Sequence, residues 1–160
     1  MKRSVLSALL LLGAGCGDVE SYGRAPIGVD IRGLAPSDLG FVQIVVIRAQ
    51  NHVCNTVRAN CLETVPESDF VPIRVGEGEQ RSLRVAISAE ATGSAGQTVE
   101  VNVPEGTNYV FVAQALSTDG KKLLAAGCEL MTTVVEGDNP ALLVQARVLD
   151  PVPSCDPTLD

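Results

Sequence analysis

Strict alternation of apolar and polar residues runs through most of this chain and leaves it few folds to choose from. In IGVDIRG, Ile27, Val29 and Ile31 share one side while Asp30 and Arg32 take the other. SLRVAISAE separates Leu83, Val85, Ile87 and Ala89 from Arg84, Ser88 and Glu90. QTVEVNV separates Val99, Val101 and Val103 from Glu100 and Asn102. ALLVQARVL follows, with Leu142, Val144, Ala146 and Val148 expected inward. A period of two places alternate side chains on opposite faces of a sheet, one buried and one wet.

Two further runs, FVQIVVIRA (41–49) and NYVFVAQAL (108–116), are apolar on both faces. Their β-branched residues and bounding turns favour strands covered on both sides over a buried helix. Asp119-Gly120 in STDGKK reads as a hairpin with a type I′ turn, and VPEGTN and VEGDNP mark further junctions. Pro104 supplies no ladder donor, so a strand ends there. No stretch sustains a helical period, and APSDLG is expected to form one short helical turn at most. The expectation is an all-β fold, a single antiparallel β-sandwich of about seven to nine strands. It occupies residues 27–150, after a linker over 16–26 and before a C-terminal tail at 151–160.

Residues 99–127 support a related expectation. A strand leads into Pro104, Gly106 and Tyr109, and a second strand leads into the Asp119 turn. This order resembles small extracellular sandwiches of the fibronectin type III-like, transthyretin-like and immunoglobulin-like kind. The Cys–Trp–Cys core of antibody domains is missing, since the chain has no tryptophan. Such folds host many functions, so the resemblance implies architecture and not activity.

The first fifteen residues follow a different plan. Lys2 and Arg3 precede an apolar stretch from Val5 to Leu12, and Gly13, Ala14 and Gly15 are small. This is the layout of a secretory signal, too short to span a bilayer, which needs about 20 apolar residues. Cys16 follows directly. Small-Ala-Gly-Cys after leucines resembles the lipobox of bacterial lipoproteins, with Gly13 standing where that family usually has leucine. The resemblance implies that Cys16 receives diacylglycerol, that cleavage occurs before it, and that its new amino group takes a further acyl chain such as palmitate. Each buried methylene of such chains contributes about 0.8 kcal/mol. Gly17 occupies the place where an aspartate retains enterobacterial lipoproteins at the inner membrane, so the implied location is the outer membrane.

Cleavage there leaves residues 16–160 with ten basic and nineteen acidic side chains, a net charge of about −9. That charge disfavours phosphate backbones, and nucleic acid is not an expected partner. Three Phe, two Tyr and no Trp weaken a sugar-stacking reading. With Cys16 lipidated, Cys54, Cys61, Cys128 and Cys155 remain, and an even number in an exported chain reads as two disulfides. Three pairings are possible. The local ones, Cys54–Cys61 and Cys128–Cys155, are preferred because each closes a short loop. A zinc site lacks ligands, with no CxxC and a single histidine, His52.

No cofactor or catalytic motif stands out. His52 lies in AQNHVCN, where a surface loop would carry it. TGSAG (92–96) is one residue short of a nucleophile elbow and reads as a loop. STDG and VEGDN lack EF-hand spacing, and turn chemistry explains both. The expected function is therefore a non-catalytic, lipid-anchored envelope module for binding, adhesion or accessory duty, held to the membrane by its lipid and meeting an envelope protein partner. The alternatives are a small envelope hydrolase using His52 or a carboxylate pair, and a carrier of an apolar ligand between its sheets.

Overall fold

The computed structural model describes residues 20–58, 61–87 and 97–159. Cys16, the signal segment and the TGSAG stretch lie outside the described residues. The described strands are β1 (Tyr22–Arg32), β2 (Leu39–Arg48), β3 (Ile73–Val75), β4 (Gly78–Gln80), β5 (Ser82–Ala86), β6 (Gln97–Pro104), β7 (Gly106–Ser117), β8 (Leu123–Val134), β9 (Gly137–Asp138) and β10 (Leu142–Val148). Helical structure among the described residues is confined to α1 (Cys54–Val57) and three short 3-10 turns, one of them Pro36–Asp38 within APSDLG.

All ten strands join one sheet in the order β4-β3-β6-β1-β10-β8-β7-β2-β5, with β9 beside β1. This corrects the expected antiparallel sandwich of about seven to nine strands in three respects, the first being the ten strands described. The sheet is continuous and nearly closed, and it is mixed: β1 runs parallel to β10 and to β9. Alternation fixes which face a residue takes but is blind to strand direction, so the parallel pairs left no mark in the sequence. The link between β10 and β8 is short, with Arg147 opposite Ala126 and Val148 opposite Ala125, and Leu149 N–H donating to the Leu124 carbonyl at 2.9 Å just beyond. Around that link the sheet folds back on itself. Ala25, Ile27, Val29, Val99, Val101, Val103 and Val144 of one half meet Val42, Ile44, Val46, Phe111, Ala113 and Met131 of the other in the main core.

Strand β1 begins at Tyr22, so residues 22–26 are strand and not linker. Pro26 hid this. It sits between the stretch of β1 paired with β9 (Gly23, Arg24) and the stretch paired with β10 (from Ile27). A strand tolerates a residue without an amide hydrogen where one neighbour is interrupted. In β10, Val144 and Ala146 are buried as expected, but Val148 is exposed.

The two runs apolar on both faces form β2 and β7, paired from Leu39↔Ser117 to Arg48↔Tyr109. Their second face carries Val45, Ile47, Val110 and Val112. Leaving these in water would forgo about 1.5–3 kcal/mol each. The excursion between β2 and β3 covers them with Val57, Leu62 and Val65. That excursion is stitched down by Cys54–Cys128 and Cys61–Cys155, with Cα separations of 5.5 and 5.9 Å. The local pairings Cys54–Cys61 and Cys128–Cys155 are thus overturned. Sequence proximity favours short loops, but here the covering layer needs anchors to the sheet it covers and to the C-terminal tail. The tail is no loose end: Cys155 is bonded, Pro157 is buried and Leu159 packs on the second face.

The β7–β8 turn also departs from expectation. Only Gly120 has positive φ, +71°, and Asp119 does not share it, so the turn is not type I′. Gly120 N–H donates to the Ser117 carbonyl at 2.8 Å and Ser117 N–H to the Lys122 carbonyl at 3.0 Å. This is a longer turn with glycine in the left-handed position.

Candidate functional site

His52 is not a bare loop residue. Its side chain is 11 % exposed, and its Nε2 lies 2.7 Å from a carboxylate oxygen of Asp69. The pair joins the two ends of the excursion: His52 follows the turn after β2, and Phe70, beside Asp69, bridges to Ile47. A histidine oriented by a carboxylate is two-thirds of a hydrolytic triad. Among the described residues no serine hydroxyl is hydrogen-bonded to the ring, and the four described cysteines are all in disulfides. Nor does any cluster of three or more His, Cys, Asp or Glu among them form a metal cradle. The carboxylate and amide of STDG and VEGDN are taken up in their own turns. Asp119 accepts from Ser117 Oγ and Lys121 N–H, and Asn139 accepts from Val135 N–H and donates to the Arg24 and Val135 carbonyls.

A concavity lies where the two ends of the sheet meet. The chain passes from β4 at one end to β5 at the other through Arg81 alone. A cleft of about 660 Å³ opens there, walled by Val75, Glu79, Arg81, Leu83, Arg84 and Leu159 among others. A second hollow of about 230 Å³ adjoins it, sharing Glu79, Gln80 and Arg81 and adding Glu67, Phe70 and Pro72. Among the described residues strand β5 pairs with β2 on one side only, from Val45↔Ser82 to Phe41↔Ala86, and its other edge, beside this cleft, has no described ladder partner. Leu83 and Val85 reach the main core as half-buried residues, while Arg84 points outward.

Arg84 leads to a polar group that the sequence reading passed over. Gln43 on β2 and Gln114 on β7 are paired in register and fully buried. Gln43 Nε2 donates to Gln114 Oε1 and to the Pro157 carbonyl, both at 2.8 Å. Gln43 Oε1 accepts from Arg84 Nη2 at 2.7 Å and Nε at 3.2 Å. Gln114 Nε2 has no hydrogen-bond partner among the described residues. The signal was present: each glutamine interrupts a run apolar on both faces, and a buried amide needs partners.

Near β4, Tyr22 lies under the Arg74 guanidinium, 3.5 Å from ring centroid to carbon, and donates to Glu79. That hydrogen bond, reinforced by the negative charge of Glu79, raises the Tyr22 pKa above its ordinary value.

No family model matches this chain, and no curated protein matches it. Among solved structures, a pilus-presented adhesin, Cpa, aligns with 82 % of this chain and 28 % of its own length, at 8 % identity and a TM-score of 0.33. The chain therefore spans little more than a quarter of that adhesin. No described helix is long and apolar enough to cross a membrane.

Proposed function

We infer that this chain is a lipid-anchored, non-catalytic envelope protein that works by binding another envelope protein. The observation that carries this reading is the open edge of β5 beside the 660 Å³ cleft. An unpaired edge next to a concavity accepts an extended segment by strand addition, with side-chain specificity supplied by the hollow. Cys16 supplies the anchor, by diacylglycerol on its thiol, removal of residues 1–15 and acylation of the amino group so freed, and the leaning toward the outer membrane rests on Gly17. The net negative charge supports a protein partner over a nucleic acid. A carrier role is less favoured, because the space between the sheet halves is occupied by side chains in mutual contact.

The test places a photo-crosslinking residue at Arg81 or at Ala86, both exposed, in intact cells, with exposed Leu143 on β10 as control. Capture of one envelope protein from the β5 positions and not from Leu143 is expected. Equal capture from all three, or none from β5, defeats the edge assignment. Two further variants test the rest. Cys16→Ala should lose incorporation of labelled fatty acid. His52→Ala should keep the captured partner; loss of function with fold and anchoring intact would put the hydrolase reading first.

A further inference from the structure

The last described residues act as more than a tail. From Cys155 to Leu159 the segment alternates: Pro157 is buried and Leu159 half-buried, while Asp156 and Thr158 are exposed. It lies as a strap over the outer face of the central strands. The Pro157 carbonyl receives Gln43 Nε2, and two residues on Leu159 packs against the cluster that Val45, Ile47, Val110 and Val112 form with Val57, Leu62 and Val65. Asp156 sits within electrostatic reach of Arg84 and Lys121, a basic rim on an acidic protein. The strap follows β10 in the chain, and the Cys61–Cys155 bond ties its start to the excursion.

The floor beneath it has the make-up of a peptide site. A buried amide presents a donor to a backbone carbonyl, an apolar patch takes an aliphatic side chain at the next inward position, and a cationic rim meets an acidic one. Two buried glutamines, one with an amide nitrogen that has no hydrogen-bond partner among the described residues, keep a polar floor under this short segment.

We propose that the groove over Gln43 and Gln114 binds an extended acidic-aliphatic peptide of a partner protein, and that residues 156–159 are its internal competitor. The partner segment has an acidic residue for the Arg84–Lys121 rim, a carbonyl for Gln43 Nε2 and a leucine-like side chain two positions later. This goes beyond the β5-edge reading, which stands or falls by its own crosslinks.

The probe is a fluorescent peptide of residues 154–160 carrying serine at the position of Cys155. It is titrated into the mature chain, into a chain ending at Cys155, and into a full-length Leu159→Ser variant that loosens the strap. Both disulfides and near-ultraviolet dichroism establish that each variant is folded. The strapless chain is expected to bind saturably, with Kd near or below about 1 mM, and the intact chain about tenfold or more weakly. The Leu159→Ser variant should fall between them. Serine in place of the peptide's leucine, or Gln43→Leu in the strapless chain, should weaken binding severalfold. Equal affinity of intact and strapless chains, or no saturable binding by a folded strapless chain, overturns the proposal.

Discussion

Tyr109 occupies the space that a side chain at Gly106 would need: a Cβ there would run into the phenol ring and its hydroxyl. The hydroxyl in turn donates to the Glu105 carbonyl at 3.3 Å. The glycine and the tyrosine are therefore one device, which folds the β6–β7 connection back against its own following strand. Gly106→Ala should cost about 1–3 kcal/mol, because the buried ring cannot move aside without strain. Tyr109→Phe, which removes only the hydrogen bond, should cost about 0.5–1.5 kcal/mol. Urea unfolding of the two variants checks the order, and a milder effect for the alanine variant would contradict it.

Gln43 and Gln114 make an asymmetric pair. Gln43→Leu strands Gln114 Oε1 and the Pro157 carbonyl together and returns the exposed Arg84 guanidinium to water, and should cost about 1–3 kcal/mol. Gln114→Leu removes a side chain whose nitrogen already lacks a partner, and leaves Gln43 Nε2 bonded to Pro157. Its cost should be clearly smaller. The double variant should be more stable than the sum of the singles predicts, which a double-mutant cycle measures directly. Additive losses would mean the amides do not act on each other.

Non-reducing peptide mapping should recover Cys54 with Cys128 and Cys61 with Cys155. These links span 74 and 94 residues of sequence, so each constrains the unfolded chain more than a local loop would. Paired alanine replacement at either should cost about 2–4 kcal/mol. Loss of Cys61–Cys155 should also free the strap, seen as faster amide exchange at Thr158 and Leu159. Recovery of Cys54 with Cys61 would refute the cross-layer arrangement.

How much of this could be read in the sequence follows from what each pattern encodes. Period-two alternation placed Val99, Val101 and Val103 on the buried face of β6, and two-sided apolar runs placed β2 and β7 under cover from both faces. Those signals depend only on local burial. The parallel pairing of β1 with β10, the near closure through Arg81 and the cross-layer disulfides are relations between distant segments, and no local period encodes them. Pro26 and the polar start of β1 concealed five strand residues because a gap between two partners tolerates proline. At the candidate site, the β5 alternation was legible, but the role of Arg84 was not. Its partner Gln43 reads as an oddity in an apolar run until Gln114 is placed opposite.

The response to acid should trace to Glu105. Its carboxylate accepts the Ser21 hydroxyl and, at 2.9 Å, the Glu136 N–H, tying the β6–β7 connection to the entry of β1 and the exit of β8. The Ser21 hydrogen bond chiefly, and the Glu136 amide next, hold its pKa below the ordinary carboxylate value. Asp119 is lowered by the Ser117 hydroxyl, then Lys121 N–H, and Asp156 by Thr158 through its hydroxyl and its amide. A folded-state pKa below the unfolded one gives stability that is present above the unfolded value and lost as pH falls through the folded value. The protein should therefore weaken on acidification below the ordinary carboxylate range, about pH 4. Glu105→Gln should be less stable than the parent at neutral pH, and the gap should narrow as pH drops, because the parent then loses what the variant never had. Ser21→Ala should show the same convergence in part. Urea midpoints from about pH 7 down to about pH 3 make the comparison. Curves that stay parallel throughout would show that the Glu105 charge contributes nothing to holding the three segments together.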